Sequence, residues 1–348
     1  MIPRYKAAVL TAPGKIEVQE RPVPELLPEE ALIRVRYAAI CGTDLALYSG
    51  AYQTALPLVP GHEFAGEVAA VGDQAQSAWI GKKVTAEINN TCVSWASRDQ
   101  CPACTAGIPN HCEKRTVLGI INCDGAFAEL VRVPVQNLHV LPERIPLRHG
   151  VFVEPLAAAI QTFELTSISA GEMVVVLGAG RLGVLVCKVA ALKGARIIAV
   201  SRTRYKLELA AKFGAEELVN AGESDVRRQV SELTSGLGAD IVVEATGDPE
   251  GLLLAMDLVR PRGTICLKST PGVESSALPI TRAVVNEIRI QGSRCGPFAK
   301  AIRMMLRHNL DLDSLISEVH PLDEVAAAFQ AAGKRFKVLM QMGLPETR

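Results

Sequence analysis

The sequence predicts an α/β protein of two domains, a mostly β half followed by a doubly wound parallel sheet. Three observations predict it. At 348 residues the chain exceeds one compact domain of about 150 residues, so two are expected. Short strand-like runs broken by Pro and Gly fill residues 1–150, and apolar strands alternating with helical segments take over from Glu154. In the second half the strand-like EMVVVL enters a Gly-rich loop and then an apolar helix, the unit from which parallel sheets covered on both faces are built.

Taken in order, strands are expected at 6–11, 16–19, 31–38 and within the Gly-bounded run 61–72, each bracketed by turn residues. Pro155 suits the first turn of a helix over 156–163, which leads into the second half and puts a domain boundary near residue 151. Beyond it, strands at 173–177, 197–200, 241–244 and 264–267 alternate with helices at 182–193, 204–213, 226–234 and 251–258. The tail holds helices near 298–307 and 322–332 and a strand at 337–342.

Hydrophobic residues make up 49% of the chain and charged residues 21%, which places it among soluble globular proteins. Lys plus Arg equals Asp plus Glu at 37 each. Such a chain exerts no long-range pull on nucleic acid or anionic lipid, so the expected partner is a small molecule held by local donors. The start, MIPRYKAAVL, lacks the pattern of a secretory signal, and no apolar run approaches membrane-spanning length; a cytoplasmic location is the expectation. In that reducing compartment the nine cysteines are expected as metal ligands or small buried hydrophobes and not as disulfides.

The loop Gly178-Ala179-Gly180-Arg181-Leu182-Gly183 follows the strand at 173–177 and opens the helix at 182–193. Gly178 suits a tight turn, Gly180 lets the backbone approach a pyrophosphate, and Gly183 lets helix pack closely on strand. The helix start offers N–H donors and the positive end of its dipole. Together these predict dinucleotide binding. An NAD site usually places Asp or Glu about 20 residues on, at the end of the next strand; here Ser201 stands there, followed by Arg202 and Arg204. Their guanidinium forks suit a 2′-phosphate, which favours NADP over NAD. The other reading leaves both arginines as surface charges, with Ser201 bonding either ribose.

Cys92, Cys101, Cys104 and Cys112 lie within 21 residues of a polar, turn-rich stretch, poor core material but suited to a closed tetrathiolate zinc site that would pin the lobe. Cys123 lies nearby without ligand spacing and is read as structural. A second set is dispersed: Cys41, His62 with Glu63, and Glu154. One thiolate, one imidazole and one carboxylate would leave a zinc ion open to substrate, as Lewis-acid catalysis needs. Spacing alone does not bring them together, and a lone His after Gly also reads as an ordinary loop residue.

With CGTD at 41–44, GHEFAGEVAAVG at 61–72, the cysteine lobe at 92–112, EPLAAAI at 154–160, GAGRLG at 178–183 and VVEATG at 242–247, the whole chain resembles the medium-chain dehydrogenase/reductase superfamily, zinc-containing alcohol/polyol dehydrogenase type. The resemblance implies a GroES-like catalytic domain of residues 1–151 completed by 293–348, a Rossmann domain at 152–292, an active site in the cleft between them, and a homodimer or homotetramer. It implies one catalytic and one structural Zn2+ per chain with NADP or NAD as cofactor. By position, Cys41, His62 and Glu154 match the catalytic ligands, and Glu63 matches a carboxylate beside the metal that can enter its coordination sphere. Thr43 matches the hydroxyl that bonds the substrate oxygen, Asp44 matches the support of His62, and Thr246 joins the cofactor set. Two departures stand out: Arg98 occupies the usual first-cysteine position of the lobe, leaving Cys92, and Ala46 replaces a relay His. A carboxylate at 154 implies the polyol, sugar and threonine dehydrogenase branches or NADP-dependent secondary alcohol dehydrogenases. The alternatives are a zinc-independent enoyl or quinone reductase of the same superfamily and a non-catalytic nucleotide-binding protein.

Overall fold

The computed structural model describes residues 3–269 and 279–343. The chain divides into two compact units, Met1–Glu154 with Ala301–Arg348, and Pro155–Lys300. The first boundary thus falls three residues past the expected 151 and the return at 301 instead of 293. Residues 293–300 stay with the second unit because the buried Lys268 donates from Nζ to Ser293 Oγ (3.1 Å) and the Arg294 carbonyl (2.5 Å). Gly296, moreover, packs so tightly on the Ala157 carbonyl that a Cβ would lie 1.8 Å from it.

In the first unit the strands Glu318–Pro321, Val338–Gln341, Glu30–Ala39, Glu63–Val71, Lys83–Ala86 and Leu138–Val140 lie side by side in that order, and Leu130–Pro134 also pairs with Glu30–Ala39. A separate antiparallel hairpin joins Arg4–Ala12 to Lys15–Pro22. The strand Val338–Gln341 pairs antiparallel with Glu30–Ala39 through Leu339 and Ala39, so the returning segment joins the main sheet of the N-terminal half.

The second unit is a six-stranded, all-parallel sheet with spatial order Glu217–Asn220, Arg196–Ser201, Met173–Leu177, Ala239–Glu244, Val259–Leu267 and Arg289–Gly292. Numbered along this unit, that is 3-2-1-4-5-6, the doubly wound dinucleotide-binding order. Val174, Val175 and Val176 are fully buried, which explains an apolar run without alternation. Helices Arg181–Leu192 and Arg204–Lys212 follow the first two strands. Strand order reverses between Met173–Leu177 and Ala239–Glu244, and at that switch point the carboxyl ends of the strands leave the crevice where ligands bind.

Candidate metal centres and dinucleotide site

Cys41 is the N-cap of the helix Gly42–Ser49, and its backbone N–H donates to Asp44 Oδ2 at 2.8 Å. The other oxygen, Asp44 Oδ1, accepts from the Gly61 N–H at 3.2 Å and lies 3.5 Å from His62 Nδ1. Asp44 is fully buried and His62 nearly so. One carboxylate therefore ties the Cys41 loop to the Gly61-His62 turn, and it faces the imidazole from behind, as a partner that fixes a ligating ring does. Burial works against charge on the imidazole, but Asp44 and then Cys41 outweigh it and hold the His62 pKa well above the usual histidine range. His62 Nδ1 has no hydrogen-bond partner among the described residues.

Ligand atoms of Cys41, His62 and Glu63 all lie within 4.8 Å of one another. A thiolate, an imidazole and a carboxylate so placed fit a zinc ion bound at about 2.0–2.3 Å. Glu154 does not join that group; it is half-buried in the first turn of the helix Val153–Leu165. The third donor atom within that distance belongs to Glu63, the neighbour of His62 at the start of the strand Glu63–Val71. Glu63 Oε2 is also ion-paired to Lys337, with both side chains almost wholly buried. Lys337 escapes a reading of local motifs because it lies 274 residues from Glu63. Thr43 is the second residue of the helix Gly42–Ser49 and is half-buried.

The four lobe thiols form a second group within 4.8 Å. Cys92 Sγ is 3.5 Å and Cys101 Sγ 3.7 Å from Cys112 Sγ. A tetrahedron with Zn–S of about 2.3 Å has edges of about 3.8 Å, so these separations suit a shared ion, and all four are free thiols. Backbone N–H groups of Cys104 and Glu113 lower the Cys101 pKa to about 6, whereas burial pushes that of Cys104 up to about 12, so Cys101 is the thiol readiest to ligate as a thiolate. Cys92 reaches the group because Asn89–Asn90 pairs with Thr116–Val117 and closes the lobe at its base, while Arg98 points to solvent. Cys123 stays outside the group; Asn90 Nδ2 donates to its sulfur and burial pushes its pKa up to about 11.

In the second unit Gly178 has φ +94°, and a Cβ there would lie 2.8 Å from the Ala245 carbonyl; at Gly183 it would lie 2.0 Å from the Gly178 carbonyl. Both positions require glycine. At Gly180 a Cβ would meet nothing within 4 Å, which leaves the mouth of the helix Arg181–Leu192 open, and a helix N-terminus so exposed suits an anion. Ser201 ends its strand and accepts from the Thr203 N–H at 3.3 Å. Arg202 and Arg204 are exposed. Lys206, not singled out in the sequence, has a pKa lowered by burial and then by the Arg181 and Arg202 guanidinium groups. The Arg181 and Arg202 charges thus disfavour the Lys206 ammonium, an effect that an anion bound among them would relieve. The Thr246 hydroxyl donates to Glu244 Oε1 at 2.5 Å and accepts from the Asp248 N–H at 2.9 Å, which shapes the turn it lies in.

Residues 27–143 match the family model described as Alcohol dehydrogenase GroES-like domain, and residues 182–308 that described as Zinc-binding dehydrogenase. The chain is 31% identical to the sorbitol dehydrogenase of Halalkalibacterium halodurans, covering 94% of this chain and 96% of that one. It is 34% identical to the L-threonine 3-dehydrogenase of Symbiobacterium thermophilum, covering 91% of each. Among solved structures, a zinc-binding dehydrogenase from Sinorhizobium meliloti 1021 bound to NADP superposes with a TM-score of 0.88 at 31% identity, over 97% of this chain and 99% of that one. The chain belongs to the zinc-type alcohol and polyol dehydrogenases of the medium-chain dehydrogenase/reductase superfamily.

Proposed function

We propose that the protein is an NADP-preferring dehydrogenase that oxidises a secondary hydroxyl of an alcohol, polyol, sugar or amino alcohol at a zinc ion held by Cys41 and His62. The gathering of Cys41, His62 and Glu63 donors within 4.8 Å carries the reading. Bound zinc supplies Lewis-acid polarisation of the substrate oxygen, and NADP accepts the hydride. Asp44 holds the Cys41 and Gly61 backbones and orients His62. Glu63, beside His62, and Glu154, at the start of its helix, are the carboxylates that would complete the set around the ion. The Thr43 hydroxyl would accept the hydrogen bond of the substrate hydroxyl and pass its own proton to solvent water as it receives the substrate's, so that it stays neutral. The loop Gly178–Gly183 seats the pyrophosphate, and Arg181, Arg202, Arg204 and Lys206 favour the 2′-phosphate.

Substrate class rests on the sorbitol and threonine relatives and on the carboxylate at 154. The second metal is a structural zinc on Cys92, Cys101, Cys104 and Cys112, giving two ions per chain. A zinc-independent reductase has no use for the donors at 41, 62 and 63. A homodimer or homotetramer is supported by Ile280, Val284 and Val285, which are 64%, 69% and 74% exposed on the helix leading into the outermost strand, Arg289–Gly292. Sedimentation equilibrium of the Val285→Asp variant tests this, since an unchanged mass would count against it. No helix among the described residues is long and apolar enough to cross a membrane. Nine free thiols fit the reducing cytoplasm, which fractionation of the producing cells would check.

A panel of secondary alcohols, polyols, sugars and amino alcohols, followed by nicotinamide absorbance, identifies the substrate. Cys41→Ser and Thr43→Val are expected to lower kcat by about a hundredfold or more while NADPH still binds. Wild-type turnover by Cys41→Ser would refute the proposal.

A further inference from the structure

Glu244 is the last residue of the strand Ala239–Glu244 and is paired in register with Leu177, the residue before Gly178. Its side chain is 3% exposed, and no cation pairs with it among the described residues. A buried carboxylate is costly unless donors satisfy it, and here the donors are neutral. Oε1 accepts from the Thr246 backbone N–H at 2.7 Å and from the Thr246 hydroxyl at 2.5 Å, and Oε2 accepts from the Ser269 hydroxyl. The Thr246 hydroxyl then accepts from the Asp248 N–H, so the turn after the strand is folded back onto the carboxylate. Gly251 is part of the fit: a Cβ there would lie 2.5 Å from Glu244 Oε1. On the other side the Lys268 N–H donates to the Glu244 carbonyl at 2.9 Å.

The turn so fixed touches the dinucleotide loop, since the Ala245 carbonyl is the group a Cβ at Gly178 would strike. An apolar side chain would close a sheet end at lower cost. A carboxylate with three neutral donors at the switch point instead sets the shape of the crevice wall, in the way supporting groups preorganise a binding site.

We propose that Glu244 is a positioning residue for the dinucleotide: through Thr246 and Ser269 it holds the 245–248 turn against Gly178, so that the two loops form one preformed seat. The proposal rests on the dinucleotide reading of the Gly178–Gly183 loop. Its test compares Glu244→Ala, Glu244→Gln and Ser269→Ala by NADPH fluorescence titration, the KM for NADP, kcat and thermal unfolding. Glu244→Ala is expected to weaken NADPH binding and raise the KM for NADP about ten- to hundredfold, with kcat at saturating NADP changed far less. Glu244→Gln keeps the acceptor for both Thr246 donors and can donate to Ser269, so it should restore affinity to within about threefold of wild type. Ser269→Ala removes one donor, and in a folded protein it should raise the NADPH Kd severalfold even if Glu244→Ala fails to fold. A merely structural role would lower the unfolding temperature of folded variants without moving the KM for NADP, and that result overturns the proposal. So would Glu244→Gln binding as poorly as Glu244→Ala, or Ser269→Ala binding as wild type. Wild-type protein that binds no dinucleotide would instead refute the reading on which the proposal stands.

Discussion

Lys337 Nζ and Glu63 Oε2 form an ion pair in which neither side chain is more than 2% exposed. It links the start of the strand Glu63–Val71, next to His62, to the residue just before the strand Val338–Gln341. The ammonium also lies 6.0 Å from the centroid of the Phe152 ring, whose face favours a cation. Glu63 thus has one oxygen committed to Lys337 while it sits beside Cys41 and His62, so the lysine offsets its charge and restrains its approach to a metal.

Removing the lysine should therefore destabilise the first unit. Lys337→Met leaves a carboxylate buried without its partner, at a cost of about 3–5 kcal/mol. The Lys337→Met, Glu63→Gln double variant should recover a good part of that loss, because no unpaired charge remains. Urea unfolding monitored by tryptophan fluorescence measures both, and a single variant as stable as wild type would remove the pair from the account.

The cysteine lobe makes a separate prediction. Cys112 lies within 3.7 Å of two other lobe sulfurs, so Cys112→Ser should reduce zinc from two equivalents to one and open residues 92–112 to proteolysis. Arg98→Ala should change neither, since that side chain is exposed. Two equivalents of zinc retained by purified Cys112→Ser would refute the tetrathiolate site.

For the cofactor, Lys206→Ala and Arg202→Ala should each raise the KM for NADP about tenfold, the effect of losing one charge-assisted contact of about 1.4 kcal/mol. The KM for NAD, which lacks the 2′-phosphate, should stay within about twofold. Steady-state kinetics with both cofactors tests this, and equal effects on the two would return these side chains to the solvated surface.

These residues also show what the sequence discloses. The strand–loop–helix unit at 173–192 is legible because its strand is buried on both faces and its glycines stand where backbone crowding demands them. Asp44 is legible too, as an acidic residue at the third helical position after Cys41, within a single turn. The strands Glu217–Asn220 and Arg289–Gly292 are not, since they end the sheet and are too exposed to read as apolar runs, with one buried position in the first and none in the second. Lys337 depends on a contact across 274 residues, and no local spacing encodes it. Glu244 reads as the end of an apolar strand, and its three donors become evident only when Thr246 and Ser269 fold around it. Lys206 sits in the first turn after the Ser201 strand end, where attention to the helix start would have found it.

The central claim is that Cys41 and His62 hold a zinc ion on which hydride exchange depends. Activity of protein stripped of metal with a chelator, then reloaded with one equivalent of zinc at a time, tests it most directly. Turnover should vanish on stripping and return with the ion that Cys41→Ser cannot bind. Undiminished turnover by protein shown to contain no metal would contradict the claim.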